Sequence, residues 1–215
     1  MPRIIETLLL DGPAGKLEAM LEAPEDAAPR ELALVCHPHP LHGGTMHNKV
    51  VYRLARALRR NGAAVLRFNF RGVGRSEGHY DKGIGEIEDA RAALAWLRLR
   101  YPGLPYTLAG FSFGSRVVLS LGCEGDGAGR LIAAGLPTRF GAIGLRLACR
   151  TPKFIVQSTH DQYGPPEELE KLFREFAEPK SLIWIQASDH FFAGALDVFE
   201  DAVFRLGPAE AIGKI

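Results

Sequence analysis

Six short apolar runs, each closed by glycine, proline or a polar turn residue, alternate with helical patterns along most of the chain. ELALVCH (31–37), AAVLRFNF (63–70), YTLAG (106–110), RLIAAG (130–135), KFIVQST (153–159) and SLIWIQA (181–187) are nearly free of polar interruption. Runs of this length and character are expected of strands covered on both faces, as in a parallel sheet. Between them, apolar residues recur at helical spacing over 48–60, 83–100, 114–122, 166–177 and 191–206. That order predicts βαβ units with right-handed crossovers, hence an α/β fold with a mostly parallel central sheet and helices on both faces. Functional groups then belong at the carboxyl ends of the strands. Ahead of this pattern, residues 3–10 and 16–22 flank the turn sequence DGPAG, which predicts an antiparallel N-terminal hairpin. Residues 136–150 are the least regular stretch and have room for one short helix; if a lid is inserted there, it is small or missing.

No repeat, low-complexity tract or linker interrupts the 215 residues, so a single domain over 1–215 is expected. Lys and Arg total 26 against 25 for Asp and Glu, a formal charge of +1. Such a balance argues against a nucleic-acid partner or an anionic membrane. The basic runs Arg53 to Arg60 and Arg91 to Arg100 fall at helical spacing among Leu and Ala, the pattern of a solvated helix face. Cys36, Cys123 and Cys149 are widely spaced and contain no CxxC pair, which predicts neither a disulfide framework nor a zinc ribbon and fits a reducing compartment. The first residues, MPRIIETLLLDGPAG, hold no apolar run long enough for a signal peptide. A cytoplasmic protein, monomeric or homodimeric, is the expectation.

The sharpest chemical signal is Gly110-Phe111-Ser112-Phe113-Gly114, which follows one apolar run and opens a helical one. A serine between glycines at a strand-to-helix turn is held out on a strained backbone, and the helix N-terminus beneath it favours developing negative charge. A hydroxyl is a weak nucleophile and needs a histidine base, which in turn needs a carboxylate to hold its tautomer. Both occur downstream, each just past a strand: Asp161 in HDQYGPP after KFIVQST, and His190 in SDHFF after SLIWIQA. The order Ser112, Asp161, His190 satisfies the pattern. Asp161 also has the sequence context of an Asx-turn. Asp189 competes for the acid role, but its adjacency to His190 makes that geometry awkward and suits a helix N-cap instead.

Taken together, HPHPxxGGTMxNKVV, RFNFRGVGRSEG, GxGExxDA, GFSFG, HDxYGPPEEL and DHFF resemble the small serine α/β hydrolases related to dienelactone hydrolases, usually described as carboxylesterases. The resemblance runs from about residue 4 to residue 206. It implies an α/β-hydrolase fold with Ser112 as nucleophile, Asp161 as acid and His190 as base. Dienelactone hydrolases proper carry Cys as nucleophile where this chain has Ser112, a departure that bears on that particular substrate. The implied activity is hydrolysis of carboxylic esters of small molecules through an acyl-enzyme, without metal or organic cofactor, and the small or missing lid predicts a preference for short acyl chains. Thioester, peptide or lactone cleavage by the same triad, and a non-catalytic interaction module on the same fold, are the alternatives.

An oxyanion hole on this fold takes one N–H from the residue after the nucleophile, here Phe113, and one from the loop after an early strand. HPHPLHGG occupies that loop. Pro38 and Pro40 have no N–H; Leu41 is the favoured second donor and His39 the alternative. Histidines at 37, 39, 42 and 47 suggest a metal site, yet two prolines stiffen the segment and no carboxylate or Cys stands nearby in sequence. RGVGRSEG (71–78) lacks the third glycine and the immediate helix that a dinucleotide-binding turn requires. It reads as a structured loop at the rim, with Arg71 and Glu77 available for ion pairs. Phe111, His42 and Phe191 are the expected pocket residues, and Phe113 and Phe192 complete an aromatic neighbourhood that is equally suited to a core.

Overall fold

The computed structural model describes residues 3–24, 27–124 and 127–209. Its elements are β1 (Arg3–Gly12), β2 (Gly15–Pro24), β3 (Glu31–Cys36), α1 (Lys49–Arg60), β4 (Ala63–Phe68), α2 (Ile84–Arg100), β5 (Tyr106–Phe111), α3 (Phe113–Leu121), β6 (Ala128–Ala134), β7 (Lys153–Ser158), α4 (Pro166–Glu175), β8 (Lys180–Ile185) and α5 (Leu196–Phe204). The strands form one sheet in the order β1-β2-β4-β3-β5-β6-β7-β8. β1 and β2 form the antiparallel hairpin, β2 pairs antiparallel with β4, and every other pairing is parallel.

The apolar runs are strands for the reason their composition suggests. In β3 the side chains of Leu32, Leu34 and Cys36 enter one core layer and those of Ala33 and Val35 enter the other. The first layer packs beneath α2, α3 and α4 through residues such as Ala93, Leu97, Val118 and Leu172; the second packs beneath α1 and α5 through Leu54, Leu58, Phe199 and Val203. Burial on both faces leaves no solvated side for polar residues to mark, hence the absence of strict alternation in these runs.

The chain passes from β3 to β4 on one side and later returns to place β5 on the other. β3 and β5 are hydrogen-bonded neighbours, with Cys36 opposite Gly110. The loops leaving their carboxyl ends therefore diverge in opposite directions and open a crevice, the usual ligand position in a sheet of this kind. One of those loops is HPHPLHGG and the other is GFSFG.

Two expectations are corrected. The helix expected over 191–206 begins only at Leu196 with Ala195 as its N-cap, because Asp189 Oδ1 accepts the N–H groups of Phe191 and Ala193, both at 2.9 Å, and holds 189–193 as a separate turn. Asp189 thus caps this turn and not α5. Cys123 and Cys149 form a disulfide, their Cα atoms 5.4 Å apart, and Cys36 is free and buried. Spacing along the chain hid the pairing. The end of α3 and the segment before β7 are brought together by the parallel pairing of β5, β6 and β7, and the cysteine pattern no longer argues for a reducing compartment. Residues 136–150 form a run of turns with no helix. No helix among the described residues is long and apolar enough to cross a membrane.

Candidate active site

Ser112 joins β5 to α3 with φ 55° and ψ −118°, a backbone that costs on the order of 1–3 kcal/mol for a residue with a Cβ. Its surroundings hold it there. The Ser112 N–H donates to Ala134 O at 2.9 Å, and its carbonyl accepts the N–H of Ser115 at 2.9 Å and the Ser115 hydroxyl at 2.5 Å. Both motif glycines are required by close approach: a Cβ on Gly110 would overlap the Gly114 carbonyl, and one on Gly114 would overlap the carbonyls of Cys36 and His37. The second approach seats the start of α3 against the end of β3.

His190 Nε2 lies 2.9 Å from Ser112 Oγ, and His190 Nδ1 lies 2.7 Å from Asp161 Oδ2. The three side chains that the sequence singled out are one hydrogen-bonded chain, drawn from the ends of β5, β7 and β8. Asp161 is buried, and its carboxylate is fully partnered: Oδ1 accepts the N–H groups of Tyr163 (2.8 Å) and Gly164 (3.0 Å), and Oδ2 accepts from His190 and from Gln157 Nε2 (2.9 Å). The Asx-turn and the contact to His190 coexist because they use different oxygens. A carboxylate holding Nδ1–H leaves Nε2 free to accept a proton from the serine.

Gln157 was not anticipated. It is fully buried in β7; Oε1 accepts Leu136 N–H at 2.8 Å, and Nε2 donates to Asp161 and to Gly164 O at 3.1 Å. The available signal was one amide following the apolar residues of that run, four residues before the acid. Gly135, with φ 55°, was also missed; a Cβ there would meet the Phe111 ring at 2.7 Å and His190 Cε1 at 3.1 Å, so its hydrogen makes room for the imidazole. Gln162 Oε1 accepts the His190 N–H at 3.2 Å.

The loop after β3 differs from expectation in its details. Leu41 N–H donates to His39 Nδ1 at 3.2 Å, and the Leu41 side chain is exposed. Leu41, the favoured oxyanion donor, is therefore already engaged. The His39 N–H and the Phe113 N–H, the first of α3, meet no acceptor among the described residues. A Cβ on Gly44 would overlap the Pro38 carbonyl, so a glycine lets the loop fold back under His39.

The four histidines do not converge. His37 is buried, with Nδ1–H donating to Pro38 O at 2.6 Å and Nε2 accepting Phe70 N–H at 3.0 Å; burial pulls its pKa down to about 4. Both ring nitrogens are committed, which leaves no lone pair for a metal. His39 Nε2 pairs with Tyr80 Oη at 3.1 Å, and burial, with His42 nearby, lowers its pKa. His42 and His47 are exposed. No group of three His, Cys, Asp or Glu side chains among the described residues is arranged to hold a metal.

Of the expected pocket residues, Phe111 is corrected. It has no exposed surface and supports His190 from below, ring centroids 4.8 Å apart. Phe191 is half-buried with its ring 5.3 Å from that of His190, and His42 packs edge-on against His39 at 4.6 Å. Tyr163 meets the His190 ring at 4.8 Å. The 71–78 loop is structured: Arg71 pairs with buried Asp89 at 2.7 Å, while Glu77 accepts Lys16 N–H at 2.7 Å.

An eight-stranded, mostly parallel sheet with an antiparallel hairpin, a strained serine after β5 and a carboxylate and an imidazole after β7 and β8 define the α/β-hydrolase class. A family model for serine aminopeptidases of group S33 matches residues 35–135. An α/β serine hydrolase homologue of Coxiella burnetii is 36% identical, with a TM-score of 0.89 over 94% of this chain and 96% of the other. A lidless α/β serine hydrolase of Xanthomonas campestris is 35% identical, with a TM-score of 0.86 over 95% and 94%. The esterase domain of a Rhodothermus marinus protein is 25% identical, with a TM-score of 0.74 over 95% and 96%. The chain belongs to the α/β serine hydrolases.

Proposed function

We propose that this protein is a serine carboxylesterase acting on small-molecule esters with compact acyl groups. The observation that carries the reading is the continuous Ser112–His190–Asp161 hydrogen-bonded chain, ending on a buried carboxylate with four donors. His190 Nε2 takes the Ser112 proton as Oγ attacks the ester carbonyl, and Asp161 stabilises the imidazolium. The tetrahedral oxyanion is met by the N–H groups of Phe113 and His39, which replaces Leu41 as second donor because His39 N–H is the unengaged one. Collapse of that intermediate breaks the bond to the alkoxide, which takes the proton from His190 and leaves as the alcohol. Water then gives a proton to His190 while attacking the acyl-enzyme, and Ser112 regains a proton as the carboxylic acid departs.

The absence of a helix over 136–150 supports compact acyl groups, since nothing there encloses a long chain. The test is hydrolysis of p-nitrophenyl acetate, butyrate and longer homologues by the wild type and Ser112→Ala, each with and without EDTA. The expected result is turnover that survives EDTA, falls by at least about a thousandfold in Ser112→Ala, and declines beyond butyrate. Activity lost to EDTA and indifferent to Ser112 contradicts the mechanism, and faster cleavage of long-chain esters contradicts the acyl preference. The aminopeptidase description of the matched family model makes peptide hydrolysis the second reading, and aminoacyl p-nitroanilides in the same assay separate the two.

A further inference from the structure

We infer that, among compact acyl groups, this site favours a flat aromatic ring, laid against a wall formed by His39, Tyr80 and Phe113. The inference rests on the esterase reading above and names the substrate class within it. The three rings touch one another: His39 to Tyr80 at 4.9 Å, His39 to Phe113 at 5.2 Å and Tyr80 to Phe113 at 6.1 Å between centroids. All three are half-buried, so each keeps an open face, and the fully buried Phe70 backs Phe113 edge-on at 5.5 Å. Exposed His42 extends the wall from His39.

The wall is fixed and uncharged. His39 Nδ1 accepts from Leu41 N–H, so its proton sits on Nε2 and is donated to the Tyr80 oxygen. Gly83 stands beside the Phe113 ring, where an added Cβ would sit 3.7 Å away in ordinary contact. Orientation follows from the reaction. The oxyanion is assigned to the His39 and Phe113 N–H groups and the leaving oxygen to His190, and the proposal assigns the acyl substituent to the side chains of those same two oxyanion residues, whose rings lie 5.2 Å apart. A rigid ring stacks there without losing rotamer freedom, whereas a flexible chain of equal carbon count loses that freedom and gains no ring contact.

Methyl benzoate and methyl cyclohexanecarboxylate have the same carbon skeleton and differ in flatness and π-character. The experiment measures kcat/KM for each, divided by its hydroxide-catalysed rate constant, in the wild type, Tyr80→Leu, Tyr80→Phe and His42→Ala, with p-nitrophenyl acetate as control. The expected result is a normalised preference for benzoate that falls about two- to tenfold in Tyr80→Leu, falls in His42→Ala and persists in Tyr80→Phe. If Tyr80→Leu does not fold, exposed His42→Ala decides the question. A preference near one in the wild type, no turnover of either methyl ester, or a preference that ignores all three substitutions overturns the inference while acetate cleavage leaves the esterase reading standing. Loss of acetate cleavage in the wild type removes both.

Discussion

Gln157 gives both ends of one amide to the site. Its oxygen anchors the loop after β6, and its nitrogen holds the same Asp161 oxygen that receives His190. Gln157→Leu leaves Leu136 N–H buried without its partner and removes one of the four donors that hold Asp161. Two effects are expected: a stability loss of about 1–3 kcal/mol in thermal melts, and a fall in kcat/KM on the order of ten- to a hundredfold from misplacement of the imidazole. A variant that loses stability and keeps full activity on the surviving folded fraction contradicts the positioning role. The glycines and the nucleophile of GFSFG were legible because their chemistry has a fixed spacing, and Asp161 and His190 because each follows a strand. Gln157 and Gly135 were not, because their importance lies in contacts across the sheet. The capture of Leu41 N–H by its own neighbour's imidazole has no sequence signature.

At the scale of elements, the basic face of α1 does more than meet solvent. Arg53 reaches Glu200 at 2.9 Å and also pairs with Asp197, Arg56 reaches Glu200 at 3.4 Å, and Arg60 reaches it at 3.1 Å, so a nearly buried carboxylate of α5 ties the two helices together. Helical periodicity foretold a polar face and was silent on the partner, since α1 and α5 lie far apart in sequence. The segment between β6 and β7 is held in a comparable way. Arg116 of α3 donates to the carbonyls of Pro137 (3.3 Å), Gly141 (3.0 Å) and Ile143, Ser120 Oγ donates to Gly144 O at 2.6 Å, and the Cys123–Cys149 disulfide closes the far end. Titration of the denatured chain with a thiol reagent should find one thiol without reductant and three after reduction. Reduction should also lower stability by about 3 kcal/mol if chain entropy governs so short a loop. Three thiols before reduction contradict the pairing.

At the scale of the whole molecule, the alternating pattern of runs predicted the parallel sheet and its hairpin, and the switch between β3 and β5 then determines where two otherwise unrelated motifs meet. His37 sits at that junction, joining the end of β3 to Phe70 beyond β4. Its pKa drops from 6.5 to about 4 on folding, so between those values the unfolded chain binds the extra proton. Stability contributed by neutral His37 is therefore full above about pH 6.5 and falls as the pH drops toward 4, by about 3 kcal/mol at most. Denaturant unfolding across that window should show the decline, and His37→Gln should flatten it; an unchanged slope contradicts the assignment to His37. The central claim, that Ser112 is a nucleophile activated by His190, is tested most directly by intact mass after exposure to a fluorophosphonate. The account predicts one adduct per chain, mapped to Ser112, absent in Ser112→Ala and slowed by orders of magnitude in a folded His190→Ala variant. An adduct elsewhere, or labelling at an undiminished rate without His190, contradicts it.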